Sequence, residues 1–414
     1  MGAWGDGEPP VSRFKHQQSH ASLLRDVSRS SVRLTRSGLD AIVVPAARTS
    51  PPQHLIALSV AMSVPLVVLC SRRARVEQVA DRVSATFGAR GLIIDVPDGY
   101  PQSWTPLTSG QAFNAVSAGR SSDLSVKRNI GLRLARMRGW KKILFVDDDI
   151  SQLSPRHIER LTVQLDRNPV ASMASREFPD NSVVCHARRL AGFKQDVFVS
   201  GAVLGISTYH PAVSFFPDVY NEDWFFFARP AATRSLPKIG EVRQDEYKPF
   251  ADPLRARHEE FGDLVAEGMY GLFESRPGWD FEDQLHAAES PRFWQRVIDN
   301  RRSFIHETER RLSNAMNRGP ANSWTMTEAL KSLSHAEDQL NAISSEVCVE
   351  FIASWREDDA RWRAVLRSDY SGLNERDAFD ELELKTWISC GYGAEKAVRR
   401  RRHISIRPEL SASG

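Results

Sequence analysis

The sequence predicts an α/β fold, a mostly parallel sheet flanked by helices on both faces, followed by a helical C-terminal subdomain. Three observations predict it. Between residues 41 and 150, short runs rich in Val, Ile and Leu alternate with stretches of helical periodicity, the pattern of parallel strands buried on both faces. One such run, Ile143-Leu144-Phe145-Val146, leads directly into Asp147-Asp148-Asp149. From Pro291 onward the apolar spacing changes to that of long amphipathic helices.

Residues 1–38 are rich in Ser, Arg and Gln and are expected to form a mobile N-terminal arm with a helix near 23–34. An α/β domain is expected over 39–280, and a helical subdomain with a basic tail over 281–414. Ala41-Ile42-Val43-Val44 is a β-branched run ended by Pro45, so it reads as the first strand of the domain. A helix is predicted over 53–62, a strand over 66–69, a helix over 74–87 and a strand over 92–95. Residues 125–138 set Val126, Ile130, Leu132, Leu134 and Met137 on a mostly apolar helical stripe, and Gly139 stops that helix. The strand 143–146 follows. Beyond Pro155 a helix is predicted over 156–165, and an alternating strand over 197–206 carries glycines where backbone approaches a ligand. Residues 215–227 are unusually aromatic, and Arg276-Pro277-Gly278 is the best linker signal. Helices are predicted over 293–312, 326–347, 349–366 and 377–388, with Gly319-Pro320 breaking the first from the second.

The 55 Lys and Arg nearly balance the 52 Asp and Glu, which argues against a protein that coats nucleic acid. Positive charge gathers in Arg399-Arg400-Arg401-Arg402-His403, which reads as a solvated chain end. Cys70, Cys185, Cys348 and Cys390 share no metal-ligand spacing, so neither a zinc site nor a disulfide framework is indicated and a reducing, cytoplasmic setting is expected. The segment from Met1 to His20 is polar and lacks the apolar core of a secretory signal. The apolar stretch 55–70 contains Ser59, Ser63 and Pro65 and is too short for a bilayer, so no transmembrane span is expected.

Adjacent carboxylates repel unless a cation or hydrogen-bond donors neutralise them, so an aspartate triplet at a strand end needs a reason. In an extended backbone Asp147 and Asp149 point to the same side. That geometry can place one carboxylate on a divalent cation and the other nearby on a ribose hydroxyl or a metal-bound water, with the cation bridging diphosphate oxygens. The competing reading is a strand-to-loop turn whose aspartates cap a helix beginning near Ser154.

Lys127-Arg128-Asn129-Ile130-Gly131-Leu132, Ala135-Arg136, Gly139-Trp140 and the run from Ile143 through Asp147-Asp148-Asp149 to Ile150 together resemble the donor-site half of a known family. That family is the nucleotide-diphospho-sugar glycosyltransferases of the GT-A fold, and the chain is most similar to the inverting family 2 group. Ile42-Val43-Val44-Pro45-Ala46-Ala47-Arg48 is similar to their first strand and nucleotide-contacting loop, and Asn221-Glu222-Asp223-Trp224 resembles the acidic pair before their acceptor-side helix. The resemblance covers roughly residues 39–275.

The resemblance implies a GT-A, Rossmann-like catalytic domain. Its activity would be transfer of a sugar from a nucleotide-diphosphate donor to an acceptor hydroxyl, with inversion and with Mn2+ or Mg2+. It implies that Pro45, Ala46, Ala47 and Arg48 line the base and ribose, that Asp95 contacts the base or ribose, and that Arg128 and Asn129 face the donor. Asp149 would ligate the metal with Asp147 beside it, and Asp148 would belong to the same donor cluster. Asp223 would be the catalytic base, Glu222 would position the acceptor or pair with a cation, and Trp224 would offer a flat face to a sugar; the competing reading of Asn221-Glu222-Asp223 is an acid-rich helix N-terminus. Ala46-Ala47-Arg48 departs from the commoner aromatic and Asn-Glu loop, and His258 is a candidate late metal ligand whose competing reading is a surface helix histidine.

Two readings from other classes stand beside this one. Prenyl and terpene enzymes also hold diphosphate through clustered aspartates, but on helices of all-helical folds, whereas these aspartates follow a strand. A non-catalytic sugar-nucleotide-binding or scaffold protein, engaging a partner through its helical C-terminal part, remains open. The amphipathic faces after Pro291 need a covering surface, either the α/β domain or a second subunit.

Overall fold

The computed structural model describes residues 20–28, 38–100, 104–176, 182–194, 198–317 and 323–391. The apolar runs of the first half become the centre of a ten-stranded sheet. Its strands are β1 (Leu24–Asp26), β2 (Ala41–Ala46), β3 (Leu66–Cys70), β4 (Gly91–Asp95), β5 (Lys142–Val146), β6 (Ile150–Ser151), β7 (Val170–Arg176), β8 (Val199–Ser207), β9 (Leu236–Gln244) and β10 (Trp387–Cys390). The order is β1-β9-β7-β8-β5-β2-β3-β4-β10, with β6 paired to β9. β2, β3, β4 and β5 run parallel, while β8 is antiparallel to both of its neighbours.

The helices are α1 (Gln53–Met62), α2 (Val76–Ser84), α3 (Gln111–Val116), α4 (Leu124–Met137), α5 (Pro155–Gln164), α6 (Val183–Leu190) and α7 (Glu222–Phe226). They continue with α8 (Ala228–Ala232), α9 (Arg255–Ser275), α10 (Phe281–Ala287), α11 (Pro291–Met316), α12 (Ser323–Leu340), α13 (Ser345–Ser368) and α14 (Glu375–Glu381). Alternation along the strands explains why they read as continuous apolar runs. Ile42, Val44, Val68, Leu144 and Val146 face one core with α1, α2 and α5, while Val43, Val67, Leu92 and Phe145 face the other with α4 and the C-terminal helices.

The C-terminal half is welded to the sheet layer. Buried Asp358 of α13 accepts hydrogen bonds from the backbone N–H groups of Leu107 and Thr108 at 2.8 and 2.9 Å, and Asp369 takes a forked pair from Arg133 of α4. β10 then adds antiparallel to β4. The helix predicted over 377–388 is therefore only α14. Leu382 caps it, Glu383 turns the chain at φ 53°, and Trp387 and Ile388 enter the sheet. The helix predicted over 326–347 likewise ends at Leu340, and Ser344 caps a new helix by accepting from Val347 N–H. Gly319-Pro320 lies outside the described residues. Among the described residues no helix is long and apolar enough to cross a membrane.

The N-terminal segment also differs from expectation. No helix begins at Leu23: a 3-10 turn over Ala21–Leu23 leads into β1, which lies parallel to β9, and residues 29–37 lie outside the described residues. Buried His20 anchors this segment, with Nε2 2.9 Å from Glu267 and Nδ1 3.6 Å from Glu274 on α9. Burial disfavours its imidazolium, but the two glutamates outweigh burial and raise its pKa to about 9. The folded pKa lies above the unfolded value of about 6.5. The ion pairs thus stabilise fully below about pH 6.5, and their contribution is lost as pH rises through about 9. The expected result is that His20→Gln lowers the melting temperature most at pH 6 and that the gap to the parent closes by about pH 10. A gap independent of pH would show that His20 acts by packing alone.

Candidate active site

The chain passes from β2 to β3 and β4 on one side and returns to β5 on the other side of β2. The carboxyl ends of β2 and β5 therefore border the crevice at which crossovers diverge, where open α/β sheets bind ligands. Pro45 and Ala46 end β2 there, Asp95 ends β4, and the aspartate triplet follows β5.

The triplet forms a tight turn, not the extended segment expected. Ile150 N–H donates to Asp147 O at 3.2 Å, so the argument that Asp147 and Asp149 share a side of a strand is replaced by the geometry of a turn. The helix-capping alternative fails as well, because α5 is capped by Ser154 in a reciprocal pair with His157. Asp148 Oδ2 accepts from the backbone N–H groups of Ala47 and Arg48 at 3.1 and 3.2 Å, tying the β2 loop to the turn. The Arg48 guanidinium reaches Asp149 Oδ2 at 2.7 Å and Asp148 Oδ1 at 3.3 Å, yet its side chain is 42 % exposed.

Arg128 joins the turn to the second acidic segment. It is buried on α4 and donates from Nη2 to both oxygens of Asp147 at 3.0 and 3.1 Å, and from Nη1 to Glu222 Oε1 at 2.6 Å. Gly201 of β8 makes room for it, since a Cβ there would lie 2.6–2.9 Å from the guanidinium atoms. Asp223, beside Glu222 at the start of α7, accepts from Gly201 N–H through Oδ2 and from Trp224 N–H through Oδ1 at 2.9 Å. Each oxygen keeps a second lone pair.

Burial and negative neighbours raise the pKa values of Asp147, Asp149 and Asp223. Burial first, then Glu222, pushes Asp223 up to about 7 against Arg128 and the two backbone donors. Burial and the neighbouring Asp147 push Asp149 up to about 6, with Arg48 opposing. Asp147 is raised by burial even though Arg128 holds it down. Carboxylates from Asp147, Asp148, Asp149, Asp245, Glu222 and Asp223 converge here against Arg48, Arg128 and Lys127. Carboxylate oxygens are the hard ligands that divalent cations of the magnesium or manganese kind prefer. Gln244 supports the fit: its Nε2 lies 3.3 Å from Asp149 Oδ2, while its buried Oε1 has no partner.

Other predicted residues fall less centrally. Asn129 closes both ends of its amide on the backbone of Phe216, at 2.8 and 2.9 Å, and so is not brought to the aspartates. Asp95 is half-buried at the end of β4 beside Cys70 of β3, its carboxyl raised by burial and Glu77. His258 makes no hydrogen bond or ion pair with the aspartates, and its Nδ1 is buried without a partner. Half-buried Trp224 packs against Tyr270, Phe198 and His20, with ring centroids 4.4, 5.1 and 5.2 Å away.

Lys127, Gln244 and Asp245 have no site role in the sequence reading, whereas Gly201 lies in the strand whose glycines are expected near a ligand. Lys127 is buried and donates to Ala46 O at 3.1 Å and Ser71 Oγ at 2.9 Å, bracing the ends of β2 and β3. Its place in the Lys127-Arg128-Asn129 run was the available signal. Gln244 and Asp245 carried none, because β9 itself was not recognised.

Fold and side chains together describe an α/β protein with an acidic cluster at the carboxyl edge of its sheet. No family model matches the chain, and no curated protein matches it. Among solved structures it is similar to a mannosyltransferase from Pyrobaculum calidifontis in complex with GDP-Man and Mn2+, at 11 % identity and a TM-score of 0.34, covering 80 % of this chain and 91 % of that one. A TM-score of that size decides nothing about activity.

Proposed function

We propose that the chain is a metal-dependent glycosyltransferase that moves a sugar from a nucleotide diphosphate to an acceptor hydroxyl with inversion. The observation that carries this is the double engagement of Arg128. One buried guanidinium holds Asp147 of the aspartate turn and Glu222 of the second acidic segment, so the two motifs form a single site.

Asp149 and Asp147 would hold the cation, with Gln244 able to offer its unpartnered carbonyl oxygen. When bound, the cation neutralises the diphosphate and stabilises it as a leaving group. Arg48, anchored by its backbone N–H on Asp148, is half free to turn from Asp149 toward a phosphate. Ala46 and Ala47 border the base and ribose, with Asp95 two strands away. Asp223, with a pKa near neutrality, takes the proton from the acceptor hydroxyl as that oxygen attacks the anomeric carbon, and the sugar–phosphate bond breaks on the opposite side. A single displacement inverts the centre. Glu222, held by Arg128, orients the acceptor.

The test is Asp149→Ala. Diphosphate and carboxylates carry the same sign, so removal of the main cation ligand should abolish manganese-dependent donor binding while the fold persists. Calorimetry showing undiminished manganese-dependent affinity for every donor that the parent binds would remove Asp149 from the metal site.

A further inference from the structure

We propose that Asp263 of α9 and Arg301 of α11 are positioning residues for Glu222 and Asp223, so that the C-terminal helices set the geometry of the base. This inference rests on the reading of Asp223 as that base. Asn221, directly before the acidic pair, sits in the left-handed conformation at φ 62° and ψ 36° and makes no capping bond to its own helix. Its side chain turns instead to α9, where Nδ2 donates to Asp263 Oδ1 at 3.1 Å.

The residue before Asp263 tightens the same contact. A Cβ at Gly262 would lie 2.3 Å from the carbonyl oxygen of Tyr220 and 2.7 Å from its N and Cβ, so the bare backbone of α9 is needed for the approach. Two turns further along α9, Tyr270 Oη donates to Trp224 O at 2.8 Å. Glu222 and Asp223 are thus gripped on both sides by one helix.

Asp263 is in turn fixed by residues beyond its own helix. Its Oδ2 accepts from Ser182 Oγ at 2.7 Å and from Arg301 Nη2 at 2.6 Å. Arg301, 1 % exposed, forks onto Glu260 through Nε and Nη2, each at 2.9 Å. Apolar residues of similar volume commonly replace such a buried network at no loss of stability. What the charges supply is direction: Arg301 holds Asp263 with one oxygen turned to Asn221.

The experiment uses the full chain and four proteins: parent, Asn221→Gly, Asp263→Asn and Asp223→Asn. Glycine accepts the left-handed backbone, so Asn221→Gly removes the tie without straining the backbone at that residue. Turnover is read as metal-dependent hydrolysis of the nucleotide-sugar donor that stabilises the parent most, and donor affinity by calorimetry. The expected result is a fall in kcat of about ten- to a hundredfold for Asn221→Gly and Asp263→Asn, with donor affinity within about twofold of the parent, as for a misplaced base. Parent-like kcat in Asn221→Gly alongside a collapsed Asp223→Asn overturns the positioning role and leaves the base intact. Loss of affinity in step with kcat assigns Asn221 and Asp263 a structural role and also overturns it. Parent-like kcat in Asp223→Asn, or no donor hydrolysis by the parent, overturns the underlying reading itself.

Discussion

Asp223→Asn lowers transfer to the true acceptor by on the order of a hundredfold or more and leaves donor affinity nearly unchanged. A base acts in the transition state, so its loss appears in kcat and not in ground-state binding. The structure adds a control. Both carboxylate oxygens of Asp223 accept backbone N–H groups, from Gly201 and Trp224. An asparagine supplies only one acceptor oxygen, so one N–H must face an amide NH2, at a cost of about 1–3 kcal/mol. The variant should therefore melt somewhat lower yet remain folded at 25 °C, and turnover must be read well below its transition. If Asp223→Asn keeps more than about a tenth of parent turnover, Asp223 is a cap on β8 and α7 and not the base.

Truncation after Ser290 has the second large effect, loss of a soluble fold. It removes α11 to α14 and β10, and with α11 go the buried Phe293, Trp294, Val297, Ile298, Phe304 and Ile305. Each large apolar side chain contributes roughly 1.5–3 kcal/mol by burial, which together is comparable with the net stability of an ordinary domain. Gly268 of α9 shows how closely the layers meet, since a Cβ there would lie 2.5 Å from the Trp294 ring. Removal of α11 also takes from Glu260 and Asp263 the guanidinium that pairs them. The fragment is expected to aggregate or to expose apolar surface to a reporter dye. A monomeric fragment of parent-like stability would show the helical part to be an independent appendage.

The elements read well from sequence are those in which local pattern and burial agree. β2 to β5 carry β-branched or large apolar residues on both faces, and α1 has the predicted bounds. β7 and β9 were missed for a physical reason. β7 (VASMASR) buries small and hydroxyl side chains, with Ser172 donating to Ser200 O at 2.8 Å, and so lacks the bulk that marks a strand. β9 (LPKIGEVRQ) holds Pro, Gly and charged residues whose pairing comes from long-range neighbours. β1 and β10 are edge strands of three and four residues, too short for any periodicity.

The site shows the same division. Asp147-Asp148-Asp149 and Asn221-Glu222-Asp223-Trp224 stand out as clusters in the sequence. The link between them does not: Arg128 is expected to face the donor, but nothing in the sequence shows that it joins Asp147 to Glu222 in the space that Gly201 leaves. The turn conformation of the triplet was also hidden, since β6 exists only by pairing with the unrecognised β9.

The most direct measurement is a thermal-shift panel of nucleotide diphosphates and nucleotide-diphosphate sugars, each with manganese and with a chelator. A ligand at ~100 times its dissociation constant stabilises the folded state by about 2.7 kcal/mol, enough to move a melting temperature by several degrees. The expected result is that at least one nucleotide-diphosphate sugar raises the transition with manganese and that the shift disappears with the chelator. If no nucleotide-diphosphate compound shifts the parent protein, or if the shift survives the chelator unchanged, a metal-dependent donor site at the aspartate turn is contradicted.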